Sequence, residues 1–152
     1  MLVVRFYRPA DRTPLRELLG FLAEFYPGAG RWLDARFDLV EQGDAYCMLV
    51  VAERPVGVLI ETPQGRGRLQ LSAFHVEPAY LDEGVGDGLL GWAELHWPRR
   101  VETTVAEERA EELGPLLEEH NFRPVACLKG RFRPGHGEIV YRYDRPLLVS
   151  VR

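Results

Sequence analysis

The sequence predicts one α+β domain built on a mostly antiparallel sheet. Three observations carry this. Three apolar, β-branched runs between residues 45 and 76 follow one another with only turn-length connections, the pattern of an antiparallel meander. Segments of helical periodicity stand before and after that meander, not in the regular alternation of a doubly wound sheet. A chain of 152 residues, 46% hydrophobic and 28% charged, suits one soluble core.

The elements follow in order. Leu2 to Tyr7 is a short β-rich run and forms the first strand. In ADRTPLRELLGFLAEFYPG, Leu15, Leu18, Leu19, Leu22, Phe25 and Tyr26 recur at helical spacing and make one apolar face. Asp11 or Thr13 serves as N-cap, Pro14 suits the first turn, and Pro27-Gly28 ends the helix. Arg31 to Gln42 is a second helix, placing Trp32, Ala35, Phe37 and Leu39 less regularly, and Gly43-Asp44 ends it. AYCMLVVAE and PVGVLIETP pair as a hairpin across Glu53-Arg54-Pro55, and QGRG leads to the third strand, Leu69 to Val76. A glycine-rich turn then opens a helix from about Gly86 to Trp97, stopped by Pro98. Val101 to Val105 is a strand. Ala106 to Asn121 is a helix with Leu113, Leu116 and Leu117 inward, glutamates outward, and Asn121 as a left-handed C-cap residue. Arg123 to Phe132 and Glu138 to Tyr143 end the pattern as two strands across the RPGHG turn. The order is β-α-α-β-β-β-α-β-α-β-β, with no internal repeat and no linker.

Composition excludes several partners. The net charge is −4 and the arginines are scattered, which argues against nucleic acid. The nearest patch, Arg123, Lys129, Arg131 and Arg133, reads as a solvated strand surface. No apolar run reaches the ~20 residues that span a bilayer. MLVVRFYRP lacks the basic start and apolar core of a secretory signal, so a cytoplasmic protein is expected. Cys47 and Cys127 lie in apolar runs without zinc spacing; both are expected as small core residues, and no metal site is expected.

Function centres on Leu69 to Trp97, an apolar strand, a polar connection and a glycine turn opening a helix. Such a turn leaves backbone N–H groups pointing outward at a helix N-terminus, where anions bind. Gly86, Gly88 and Gly91 also satisfy G-x-G-x-x-G. In the dinucleotide motif, however, the glycines follow their strand at once, and here Glu77 to Glu83 intervene.

Element order and motif together resemble the GNAT superfamily of N-acetyltransferases over essentially the whole chain, 1–152. The residues that carry the resemblance are Gly84, Gly86 and Gly88, the Leu89-Leu90 pair, the FHVEPAY run before them, and Asn121-Phe122 after the late helix. The resemblance implies a sheet splayed after the fourth strand with helices on both faces. It implies transfer of an acetyl group from acetyl-CoA to an unidentified primary amine, on a small molecule or a protein, by direct attack in a ternary complex. Backbone amides of Glu83, Gly84, Val85, Gly86, Asp87 and Gly88 would hold the pyrophosphate, glycine removing the Cβ that blocks close approach. A bulge or splay after Val76 would free backbone groups of Phe74, His75 and Val76 to pair with the pantetheine arm as an added strand. An N–H near Val76 would face the acetyl carbonyl. The family often forms homodimers, and Leu147, Leu148 and Val149 could cover an edge or reach a neighbour.

Three positions depart from the family's pattern. Leu81 stands where an Arg or Gln is usual. Asp82, Glu83 and Asp87 surround the turn with negative charge, each like-charge contact costing on the order of ~1 kcal/mol at the surface. Leu117 stands where the family often carries a tyrosine that protonates the thiolate. A catalytically degenerate domain binding another ligand or a protein partner is therefore the alternative.

For proton transfer, His75 in mid-strand is a candidate base, with a packed strand histidine as the plain alternative. Glu61, near the end of the neighbouring strand, is a second candidate, with a solvated strand end as its alternative. Tyr141 and Tyr143 share one face of the last strand, and either phenol could replace the function missing at Leu117. His120 reads as a cation at a helix C-terminus and His136 as exposed. Tyr26, Trp32 and Phe37 suggest an apolar acceptor pocket or ordinary core, while Glu24, Asp34, Asp38 and Glu41 suggest a cationic amine or a solvated helix face.

Overall fold

The computed structural model describes residues 1–145. Its elements keep the expected order: β1 Val3–Phe6, α1 Arg12–Leu18, α2 Ala29–Glu41, β2 Tyr46–Val51, β3 Pro55–Gly65, β4 Arg68–Val76, α3 Val85–Glu94, β5 Arg100–Ala106, α4 Glu107–Glu119, β6 Phe122–Lys129 and β7 Gly137–Asp144. Short 3-10 turns lie at Pro9–Asp11, Gly20–Glu24 and Pro78–Glu83. Leu147, Leu148 and Val149 lie outside the described residues.

The strands make one sheet in the order β1-β2-β3-β4-β5-β7-β6. Every neighbouring pair is antiparallel except β4–β5. The apolar stripes of α1 and α2 cover one face, where Leu15, Leu19, Leu33 and Phe37 pack on Leu49, Val58 and Ile60. Those of α3 and α4 cover the other, where Leu89, Leu90, Leu113 and Leu117 pack on Leu59, Leu71, Val76 and Val105. Alternate strand residues therefore feed two cores.

One irregularity positions the site. On β3 and β4, Ile60 pairs with Ala73 but Glu61 pairs with Leu71, so Ser72 is an extra residue, a β-bulge. The bulge turns Leu71 and Phe74, three apart, toward the same core. It also bends β4 away from β5. Those strands pair only through Arg68–Arg100, Leu69–Val101 and Gln70–Glu102, and Thr103 Oγ1 donating to the Leu71 carbonyl at 2.9 Å closes the contact. The sheet thus opens at Leu71, not after Val76 as expected, because the bulge lies inside the strand.

Other differences have local causes. The first helix breaks at Gly20, a poor helix residue, into α1 and a 3-10 turn, and Phe21, a residue outside the predicted stripe, lies on His75. Asp11 precedes α1 but does not cap it. Its carboxylate takes the Arg5 guanidinium at 2.7 and 2.8 Å and the Arg8 N–H at 2.7 Å instead. The strand expected to reach Phe132 stops at Lys129, and Gly130 and Gly135 adopt positive φ in the loop that follows. Asn121 is left-handed, as expected, at φ 68°. Cys47 is buried and its thiol pushed up to about 12 by burial, but Cys127 is exposed, on the edge strand β6.

Candidate active site

Where β4 leaves β5, a cavity of about 190 Å³ passes through the sheet. Ser72, Ala73 and Phe74 line it from β4, and Thr103, Thr104 and Val105 from β5. Phe21, Tyr26 and Trp32 close one side, and Arg109, Leu113 and Leu117 of α4 the other. Phe132, from the β6–β7 loop, meets Tyr26 edge-on at 5.3 Å between ring centroids. A second cavity of about 290 Å³ adjoins it through Gln70, Thr103, Thr104 and Phe132, and exposed Arg68, Arg100 and Arg131 line that mouth.

Directly beyond β4 stands the N-terminus of α3. Gly84 precedes it at φ 75°, a left-handed conformation that glycine takes without strain. Having no side chain, Gly84 leaves the first-turn amides uncapped. At Gly84 and Gly88 an added Cβ would meet nothing within 4 Å, so the backbone there is open to approach. Gly86 differs: a Cβ there would lie 2.7 Å from Leu116 Cδ2 and 3.4 Å from Phe74 Cζ, so this glycine lets α4 and β4 close on α3. Val85 is buried and packs on Gly57 of β3.

The carboxylates around the turn divide. Asp82 and Glu83 are exposed and, among the described residues, form no ion pair. Asp87 meets His120 Nε2 at 2.9 Å, and His120 Nδ1 meets Glu94 at 2.8 Å. His120 therefore sits at the C-terminus of α4, as expected, and ties it to α3.

The predicted proton-transfer residues do not converge. His75 lies on Phe21 with ring centroids 4.4 Å apart, and Arg109 Nη2 is 3.4 Å from its Nδ1. Burial first, and the Arg109 charge second, lower its pKa from 6.5 to about 4. Glu61 is 1% exposed, which corrects the solvated strand end. Its carboxylate faces the α3 side, where Trp97 Nε1–H donates at 2.5 Å and His96 Nε2 lies at 3.4 Å. Burial raises its pKa against those two partners. Tyr141 is 4% exposed and places its hydroxyl 2.8 Å from where a Gly114 Cβ would be, against α4 one turn before Leu117. Tyr143 shares its face but donates to Glu94 at 3.3 Å.

Tyr26 and Trp32 line the cavity, whereas Phe37 is fully buried, stacked on Tyr7 at 5.8 Å. Asp34, Asp38 and Glu41 turn to Arg12, at 3.5, 2.9 and 2.7 Å, and not to the cavity.

Two polar features escaped the sequence reading. Arg109 holds its guanidinium 4.8 Å from the Phe21 centroid. Its spacing of four from Leu113 and eight from Leu117 puts it on the apolar stripe of α4, a legible signal among so many glutamates. Glu138, 2% exposed, accepts a hydrogen bond from the Tyr26 hydroxyl at 3.2 Å, and burial raises its pKa. Their distance of 112 residues hides that pair from any local pattern.

No protein-family model matches the sequence, and no curated protein sequence does. Solved structures do match the fold. Arabidopsis thaliana NAA60, solved with a bisubstrate analogue, superposes with TM-score 0.77 at 15% identity, covering 95% of this chain and 98% of that one. A GNAT family acetyltransferase from Bacillus cereus gives 0.74 at 16%, covering 97% and 99%. One from Elizabethkingia anophelis, solved with acetyl-CoA bound, gives 0.72 at 12%, covering 95% and 98%. Likeness at these scores over nearly the whole of both chains is likeness of fold: this chain, with its seven-stranded sheet and parallel β4–β5 pair, has the GNAT acetyltransferase fold.

Proposed function

We propose that this chain is an N-acetyltransferase that passes the acetyl group of acetyl-CoA to a primary amine in a ternary complex. The observation that carries it is the release of β4 from β5 at Leu71, with the uncapped α3 N-terminus directly beyond. The residues present fit the cosubstrate. Ala73 to Val76 keep β3 on one side and, among the described residues, have no strand partner on the other, so their free backbone groups can pair with an extended amide-bearing arm. The amides of Val85, Gly86 and Asp87 point out of α3 at a spot that Gly84 and Gly88 leave uncrowded, which suits a pyrophosphate.

Acetyl-CoA supplies an acyl thioester, whose carbon–sulfur bond breaks as the amine nitrogen bonds to the acetyl carbon. The proton lost by nitrogen ends on the thiolate sulfur. The chain's share is to bind, align and exclude water, which by itself removes much of the barrier. His75 stays neutral at ordinary pH because burial and Arg109 oppose its protonation, which makes it a weak base for this step. Tyr141 brings a phenol to α4 where Leu117 has none. Glu61, held by Trp97, has no part in this reading.

Asp82 and Glu83 beside the turn, exposed and without an ion pair among the described residues, favour a second reading, a domain of this fold that binds no CoA. Calorimetry with acetyl-CoA and CoA decides. Saturable binding with the acetyl donor is expected; absence of heat at millimolar ligand, for folded protein, overturns the enzyme in favour of the degenerate domain.

A further inference from the structure

We propose that the acceptor amine also carries a carboxylate, which binds Arg109, and an apolar ring or branched chain seated among Phe21, Tyr26 and Trp32. This names the substrate class of the acetyltransferase reading and rests on it.

Arg109 is the first ground. It reaches from α4 into the opened sheet, and among the described residues it forms no ion pair. Its neighbours are an aromatic face and a neutral imidazole, neither of which neutralises it. Burial lowers its pKa, so the charge is held at a cost that Glu112 and Glu138 offset only at longer range. A planar guanidinium facing a cavity is shaped to take a carboxylate through two parallel hydrogen bonds.

The mouth is the second ground. Arg68, Arg100 and Arg131 line it, also without ion pairs among the described residues. Glu102 is its one carboxylate, and Arg142 faces that at 3.6 Å. The acids of α2 that would attract a polycation are occupied by Arg12. A cleft of this sign, in a chain of net charge −4, draws anionic ligands and repels cationic ones.

Size is the third. A dry cavity of roughly 150 Å³ holds a benzene ring, so one of about 190 Å³ has room for a ring on its Phe21, Tyr26 and Trp32 side.

The same carboxylate could arrive on the acyl group, and the test separates the two. The full chain is titrated by calorimetry with N-acetylphenylalanine and with its carboxamide, without acetyl-CoA. The acid is expected to bind about tenfold tighter or more. Arg109→Gln should make the two equal, and Arg109→Lys, which keeps the charge if the first variant fails to fold, should reduce the preference. Equal affinities in the unmodified chain, or a preference untouched in the variants, overturn the proposal. Acetyl-CoA takes no part in this titration, so its outcome is independent of whether acetyl transfer occurs. In turnover, phenylalanine should show the higher kcat/KM with acetyl-CoA than phenethylamine. Faster reaction of phenethylamine with succinyl-CoA puts the carboxylate on the acyl group and overturns the acceptor assignment.

Discussion

At His75, burial strips water from the ring and Arg109 adds an adverse charge, so the imidazole refuses a proton down to about pH 4. In the unfolded chain it takes that proton near 6.5. Because the folded pKa is depressed, the resulting stability is complete above 6.5 and is lost as pH falls through 4. Urea unfolding across that window should cost the protein at most about 3 kcal/mol more than it costs His75→Gln, one pKa unit being worth about 1.4. Superimposable pH profiles would contradict the burial argument. At Gly114 the constraint is steric. A methyl there meets the hydroxyl of buried Tyr141 at 2.8 Å. Alanine gains about 1 kcal/mol of helix propensity, but overpacking of this kind costs about 1–3 kcal/mol. Gly114→Ala should therefore destabilise the protein, and adding Tyr141→Phe, which deletes the oxygen, should recover most of the loss. Additive losses in that double-mutant cycle would show that the two do not touch.

Among the elements, α3 matters most, since its N-terminus faces the end of β4. Its distance from the sheet is set at Gly57, where a Cβ would fall 2.6 Å from Val85 Cγ1 and 3.3 Å from Leu89 Cδ1. Val85 is β-branched and sits in the first turn, so it has little rotamer freedom to give way. Gly57→Ala should lower Tm by about 3–8 °C, at roughly 2–4 °C per kcal/mol for a domain of this size. It should also weaken acetyl-CoA binding, and Gly57→Ala with Val85→Ala should restore both. β4 is the other element that carries the site. Its bulge at Ser72 cannot be read from LQLSAFHV, which alternates acceptably without one. The placement of Phe21 is similar: periodicity favours one long helix, and with the break at Gly20 the ring lies on His75.

At the scale of the molecule, the two halves of the sheet are joined by three parallel residue pairs, and the cavity occupies the gap. The two cysteines report on the two halves of this sheet, Cys47 on inner strand β2 and Cys127 on edge strand β6. Native protein treated with iodoacetamide should take one label, on exposed Cys127, and a second, on Cys47, only after denaturation; labelling of Cys47 in folded protein would contradict its buried place in β2. The sequence by itself determined the element order, the antiparallel meander, the glycine opening of α3 and the left-handed turn at Asn121, because each depends on residues within a few positions of one another. It also singled out Tyr26, Trp32 and Phe37, of which the first two line the cavity and the third is core. Only the tertiary structure decided where the sheet opens, that Glu61 belongs to Trp97, that Asp34, Asp38 and Glu41 belong to Arg12, and that Arg109 faces the cavity with no counter-ion among the described residues. Charge balance and burial depend on what lies across the fold, and a partner 22 to 112 residues away leaves no periodic mark on the chain.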